Sequence, residues 1–563
     1  MVAAYPSPGV RTASNTTTIS FRGVKPARLG PIKVRGSRSG IHQGRIRAHS
    51  DGRGVSFIPR RDFFFRERVT VTSPRNTFFG TKPGSHSYSF TTGELLPQGW
   101  RPEKPVPPGG ETPPEWTTYK SFPFKVPKID IDISRPGRSS GHIFLAPRTN
   151  GPLIIDDNGE LVYYRPGHRT TDFRMQSYLG KPVLTWWRRE EKGRKVTSYL
   201  TMTDTSYREI KRFQAGNGYT SDPHEFTMAS QTTAFVNSFR SVFMDLRKFG
   251  GLKRTPVMDN IAQEIDLRTG QVLWEWHSLG NVSVGDTYWP VPRKITRPFD
   301  YFHLNSIEWD ADGNILLSAR HTRALYKINR RTGKVMWTLG GRSSDFRLGR
   351  GTGFSYQHDF RRHANGTFSL FDNADGEGPL KATAKSSKGM IFRINPARKT
   401  TSLVKAFYHP SGLLTPSQGN TELLPDGNVF VGWGTRRFCT EYTPDGQVVL
   451  DLEYSSVLPT YRCYRGSWTG NPPDSSIAVK SEKSGSDSLI WVSWNGDTRV
   501  SNWRVMAGGS EGALSPVANL PRSGFETMIP VTGQPDRFRL IGLDRDGRVL
   551  GRSKINPLGK LTR

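Results

Sequence analysis

Arg268-Thr269-Gly270-Gln271-Val272-Leu273-Trp274-Glu275-Trp276 decides how the chain is read. Thr269-Gly270 supplies a residue free to take a positive φ. The run after it is rich in β-branched and aromatic side chains. Together they predict a tight turn feeding a strand. The unit recurs as Asp157-Asn158-Gly159-Glu160-Leu161-Val162-Tyr163-Tyr164, as Arg331-Thr332-Gly333-Lys334-Val335-Met336-Trp337 and as Pro425-Asp426-Gly427-Asn428-Val429-Phe430. Pro444-Asp445-Gly446-Gln447-Val448-Val449-Leu450 and Arg545-Asp546-Gly547-Arg548-Val549-Leu550 repeat it again. Hairpins repeated from residue 129 to the C-terminus predict a β-propeller of four-stranded blades around a channel.

Composition agrees with an all-β chain. The 563 residues include 58 Gly and 40 Pro, which favour turns and short strands. Only 34% of residues are hydrophobic, but 14 Trp, 31 Phe and 18 Tyr supply core bulk that a disordered chain lacks. No apolar stretch is long enough to span a membrane as a helix. Residues 1–95 carry short β-rich runs such as Thr17-Thr18-Ile19-Ser20-Phe21 and Val69-Thr70-Val71-Thr72, and predict an immunoglobulin-like β-sandwich. Residues 96–128 contain Pro97, Pro102, Pro105, Pro107, Pro108, Pro113 and Pro114 and predict a stiff linker. Residues 129–563 are then the propeller.

Lys plus Arg outnumber Asp plus Glu by 80 to 49, a net charge of +31. Such a charge invites a nucleic-acid partner. Its distribution does not support one. Residues 1–128 hold 21 basic and 7 acidic side chains, so the excess is concentrated at one end, and no RNP motif, zinc-finger spacing or leucine zipper accompanies it. The two cysteines, Cys439 and Cys463, lack metal-site spacing and would pair only in an exported protein. The start, Met1 to Pro6, shows neither a basic nor an apolar signal region.

Three segments begin with histidine ahead of a strand-like run: His224-Glu225-Phe226, His303-Leu304-Asn305-Ser306-Ile307 and His358-Asp359-Phe360. Gly419-Asn420-Thr421-Glu422 has the same look without the histidine. Equivalent repeat positions in a propeller lie at equivalent radii, so His224, His303 and His358 are expected at one repeat phase, meeting at the channel mouth. Three histidines are a known zinc set. Arg320, however, ends the strand-like run Ile315-Leu316-Leu317-Ser318-Ala319, and a hairpin returns it beside His303. A fixed cation there favours an anion over a metal. Asn305 shares the face of His303 by strand alternation. The five residues are expected to form a cluster of N–H donors for a tetrahedral oxyanion, while alternation turns His321 away. No Walker pattern or G-x-G-x-x-G leads a strand into a helix, which argues against a nucleotide.

From Gly141-His142-Ile143-Phe144-Leu145-Ala146-Pro147 onward the chain resembles the arylsulfotransferase family. The motifs that carry the likeness are Asp222-Pro223-His224-Glu225-Phe226, Tyr301-Phe302-His303-Leu304-Asn305-Ser306-Ile307 and Ser318-Ala319-Arg320-His321. Tyr356-Gln357-His358-Asp359, Phe371-Asp372-Asn373, Ser417-Gln418-Gly419-Asn420 and Gly432-Trp433-Gly434 add to it. The resemblance implies an exported six-bladed propeller that uses no nucleotide donor, cofactor or metal. It implies that His358 becomes transiently sulfated while His224, His303, Asn305 and Arg320 hold the sulfuryl group. An aryl sulfate donor and a phenolic acceptor follow as small-molecule partners. Two other readings stand beside it: a non-catalytic propeller binding an anionic polymer or cell-surface partner, and a three-histidine metallohydrolase.

Overall fold

All six glycine turns close hairpins. Gly159, Gly270, Gly333, Gly427, Gly446 and Gly547 each take a positive φ between 70° and 93°, where a Cβ would be strained. The computed structural model describes residues 2–73, 86–96, 115–147, 151–192, 195–374, 380–456, 459–559 and 561–562.

Six antiparallel sheets form a six-bladed propeller. Blade 2 is Arg169–Tyr178, Lys181–Lys192, Lys195–Thr203 and Glu209–Phe213, from the channel outward. Blade 3 is Ser221–Met228, Thr233–Met244, Thr255–Asp266 and Val272–His277. Blade 4 begins with Leu304–Trp309 and ends with Val335–Gly340, and blade 5 runs from His358–Arg362 to Thr400–Phe407. The ring closes twice. Blade 6 runs from Asn420–Leu423 to Val448–Tyr454 and adds Ile129–Ser134 at its outer edge. Blade 1 is His142–Leu145, Leu153–Ile155 and Leu161–Tyr164, and takes its innermost strand, Tyr464–Gly466, from the far end of the ring. A disulfide between Cys439 in blade 6 and Cys463, one residue before that closing strand, ties the seam.

Propeller strands are buried on both faces, which explains their continuous apolar runs. Between each pair of neighbouring blades lies one apolar layer. Phe144, Ile154 and Val162 of blade 1 meet Phe173, Leu184 and Trp186 of blade 2. Ile143, Leu153 and Ile155, on the opposite face of blade 1, meet Phe430, Leu450 and Leu452 of blade 6. The largest layer joins blades 3 and 4 around Trp274, Trp276, Phe302 and Tyr326.

The N-terminal unit is a pair of four-stranded sheets around Phe21, Val34, Val55, Val69 and Phe90. It docks on blades 3 and 4. The Tyr5 hydroxyl donates to the Arg330 carbonyl at 2.5 Å, Thr12 donates to Asp259 at 2.5 Å, and the Ser50 N–H donates to Asp266 at 2.9 Å. Of the expected linker, residues 97–114 lie outside the described residues. Residues 115–128 are no extended spacer: Trp116–Thr117 pairs with Val126–Pro127, and Phe122 is buried against Phe525.

The C-terminal boundary also differs from the sequence expectation. The ring is complete at Gly466, and Ile477–Ser484 onward forms two further sheets with a core of their own around Ile490, Trp494, Trp503 and Leu540. The turn at Gly547 belongs to this unit. A glycine hairpin announces a strand pair but not the sheet stack it joins.

Candidate functional site

The innermost strands of blades 2 to 5 are irregular where they carry polar side chains. Pairing slips between Thr171 and Arg174, between Ser221 and Phe226, between Leu304 and Ser306, and between His358 and Arg361. Asp172, His303 and Asp359 stand at positive φ of 55°, 59° and 57°. Such bulges re-aim side chains and are frequent beside active sites.

Hydrogen bonds between blades set the repeat phase. The Phe226 N–H donates to Asp172 at 3.1 Å, the Ile307 N–H to Glu225 at 3.2 Å, and the Phe360 N–H to the Ser306 hydroxyl at 3.1 Å. Asp172, Glu225, Ser306 and Asp359 are therefore equivalent. The residues before them at the histidine level are His224, Asn305 and His358. His303 lies two residues out of the expected phase and reaches the cluster through its left-handed backbone.

The structure brings the five residues to one end of the channel. The His224 and His303 rings are 4.8 Å apart and nearly perpendicular. The His358 ring is 6.1 Å from Tyr461, whose ring is 5.4 Å from His224. Arg320 is buried, donates to the Pro416 carbonyl at 3.0 Å and lies 5.0 Å over the Tyr356 ring. Its backbone N–H donates to the His303 carbonyl at 3.0 Å, the hairpin return expected from sequence.

Each histidine presents its Nε2 to the site because its Nδ1 is occupied. The Asn373 amide donates to the Thr415 and Gln418 carbonyls, both at 3.0 Å, so its Oδ1 accepts from His358 Nδ1 at 2.7 Å. That leaves the lone pair on Nε2, where the Gln418 N–H approaches at 3.3 Å. His303 Nδ1 donates to Asp300 at 2.5 Å, and His224 Nδ1 donates to Asp222. For His358 and His303 this differs from the expected cluster of N–H donors: neutral rings held in this way offer lone pairs, and Arg320 supplies the permanent donors. Asn305 differs too. Its amide donates to the Gln357 carbonyl at 2.8 Å, tethering the chain just ahead of His358.

Burial holds His358 well below the usual histidine range, with Arg320 adding to the effect and the Asn373 hydrogen bond opposing it. Burial also holds His303 well below it, helped by His224 and Arg320. Both imidazoles are neutral at neutral pH.

Sequence reasoning missed several residues. His321, expected to face away, lies 4.6 Å from the His303 ring, stacks on Trp289 and donates from Nδ1 to the Asp300 carbonyl at 2.5 Å. Asp300, His303 and His321 have ligand-type atoms within 4.8 Å of one another, the set that could hold a metal. Within that set His303 Nδ1 already donates to Asp300, and Arg320 adds positive charge beside the His303 ring. Tyr461 and Arg462 come from the closing segment and carry no motif. The Tyr461 hydroxyl is buried with no hydrogen-bond partner among the described residues. Arg462 forms the floor, 3.0 Å from Asp172 and 3.4 Å from Asp359, and donates to the Asn305 carbonyl at 2.7 Å. Arg361 and Arg174 reach Glu225 at 2.8 and 2.9 Å and complete a buried ion network across the channel. Trp433, Phe302 and Phe360 are core side chains.

A model of the arylsulfotransferase (ASST) family matches residues 174–455, a span that contains His224, His303, Asn305, Arg320 and His358. The chain belongs to the arylsulfotransferase family. No curated protein matches it. Among solved structures, a protein of unknown function from Bacteroides caccae is 12% identical, covering 58% of this chain and 99% of that one, with a TM-score of 0.34. Virginiamycin B lyase from Staphylococcus aureus is 10% identical over 66% of this chain and 97% of its own, with a TM-score of 0.28. A streptogramin B lyase structure is 11% identical over 77% and 98%, with a TM-score of 0.26. All five members of the cluster lie within the span that the arylsulfotransferase model matches.

Proposed function

We propose that the protein moves a sulfuryl group from an aryl sulfate to a phenolic acceptor in two steps through a sulfated His358. The observation that carries this reading is the pairing of His358 with Asn373. A neutral amide orients the ring without drawing a second proton onto it, so Nε2 stays a nucleophile toward an anionic ester, where a carboxylate would be repelled. Nε2 attacks sulfur, the bond from sulfur to the aryl oxygen breaks, and the phenolate leaves. A second phenol then attacks the N-sulfonated ring and returns Nε2 to its starting state.

Positioning and fixed charge supply most of the catalysis in such transfers. Arg320 neutralises sulfate charge throughout. His224 and His303 are backed by carboxylates, which stabilise an imidazolium as it forms. As the second phenol attacks, either can take its proton at Nε2, and the imidazolium so formed can protonate the phenolate that leaves in the next turnover. Asn305 holds the His358 segment in place. Export is part of the proposal, supported by the Cys439–Cys463 disulfide.

The test is release of a coloured phenol from an aryl sulfate, with phenol as acceptor and a chelator present. The wild-type protein is expected to turn over under these conditions, and His358→Asn to lose transfer while keeping its unfolding midpoint. Near-normal turnover by His358→Asn removes the nucleophile assignment. A signal abolished by chelator supports the metallohydrolase instead.

A further inference from the structure

The N-terminal unit carries a feature that neither its docking nor the chemistry uses. Ile41, Phe64 and Phe65 are 69%, 50% and 46% exposed, Ile41 being the most exposed large apolar side chain among the described residues. They project from two adjacent segments, the hairpin 36–42 and the loop 60–66. Large apolar side chains grouped on a surface mark an interaction site.

The two segments are held together from within. The Glu67 carboxylate, fully buried, accepts from the Arg38 and Ser39 N–H groups, each at 3.0 Å, from the Ser39 hydroxyl at 2.7 Å, and from the Phe64 N–H at 2.6 Å. Arg38 donates to the Phe65 carbonyl at 3.1 Å, and Arg61 donates to the Ile41 carbonyl at 3.3 Å. A buried acid that ties both backbones holds three apolar tips in water at fixed positions. Residues 33–68 contain ten basic and three acidic side chains; Arg38 and Arg61 bond the tip segments, and Arg60 and Arg66 lie on the loop itself, Arg66 paired with Glu94. Among the described residues, no hydrogen bond links either segment to the propeller, which is met by Tyr5, Thr12, Thr16 and Ser50.

We propose that hairpin 36–42 and loop 60–66 form a preset anchor that seats the protein on an anionic lipid surface. The Phe and Ile tips enter the boundary between headgroups and acyl chains, and the surrounding arginines meet lipid phosphates. Charge complementarity selects an anionic partner, and the apolar tips select a lipid one. A nucleic acid fits less well: the Arg38 guanidinium lies 5.5 Å over the Phe64 ring, where a base would stack, and Ile41 offers no stacking face.

The experiment is co-sedimentation of the full chain with vesicles of phosphatidylglycerol and phosphatidylcholine, with vesicles of phosphatidylcholine alone, and a parallel titration with a single-stranded oligonucleotide. Binding is expected to the anionic vesicles, weakened by high salt, and reduced about tenfold or more in Phe64→Ser/Phe65→Ser. Phenol release from a soluble donor should be unchanged in that variant. As a second readout, Phe64→Trp should shift its emission to the blue when anionic vesicles are added. The proposal is overturned by failure to bind anionic vesicles, by unchanged binding of the double variant, by an unshifted emission, or by tighter binding to the oligonucleotide than to the vesicles.

Discussion

Asn373 accepts the Nδ1 proton of His358 because both of its own amide hydrogens are already donated to the backbone. Asn373→Ala should therefore free the ring and its tautomer without touching substrate. We expect kcat/KM for the donor to fall on the order of a hundredfold with a smaller change in the unfolding midpoint, measured by steady-state kinetics and thermal melting. Acid should act through the same rings. His303, His321 and His358 have folded-state pKa values held below the usual 6.5, chiefly by burial. Their contribution to stability is complete above pH 6.5 and declines as pH falls below it, by about 1.4 kcal/mol per pH unit for each ring. Melting midpoints should drop between pH 7 and pH 5, and an unchanged midpoint would remove the buried neutral rings from the account. His277 works in the opposite sense. Burial opposes its charge, but Asp259 and Glu275 overcome that and raise it to about 10. Its contribution is complete below pH 6.5 and is lost as pH rises through about 10. The sequence made His358, His303 and Arg320 visible because they sit in local motifs. Tyr461 and Arg462 left no signal, since they reach the site from the other side of the ring.

At the scale of the strand, the bulges explain why the expected repeat phase was two residues out for His303. A regular strand alternates strictly, and a slip of pairing moves side chains between faces. No pattern of apolar residues records such a slip, so only the inter-blade hydrogen bonds reveal it. Glu225 shows how much hangs on that register. Its carboxylate meets Arg174 and Arg361, lies 3.5 Å from Arg462, and takes the Ile307 N–H of the next blade. Burial opposes its charge, but Arg361, Arg462 and Arg174 hold it down to about 2. Glu225→Ala should cost about 3–5 kcal/mol, because three buried guanidinium groups lose a shared partner. Denaturant unfolding measures this, and a loss under 1 kcal/mol would show that the arginines find other partners.

For the whole molecule, the fold class was legible from glycine turns and aromatic strands, but the end of the ring was not. The hairpin at Gly547 has the same grammar as those inside the propeller, and only the separate core around Trp494 and Trp503 distinguishes its unit. The seam is where the ring should be weakest. The disulfide there spans 24 residues of sequence, so Cys439→Ala/Cys463→Ala should lower stability by about 3 kcal/mol, read from denaturant midpoints under oxidising conditions. Loss of activity before loss of global structure is expected in that variant, since Tyr461 and Arg462 flank the released cysteine.

The double closure has a consequence for how the chain is made. Ser134 pairs with Leu450, and His142 pairs with Gly466, so both ends of the seam wait for roughly 300 residues of intervening synthesis. At a ribosomal rate of about 5–20 residues per second, Ile129–Ser134 lacks its partner, and His142–Leu145 lacks the second of its two, for on the order of 15–60 seconds. Over that interval Ile129–Ser134 and the inner edge of His142–Leu145 are open strand edges, and the ring cannot be finished until Gly466 has emerged.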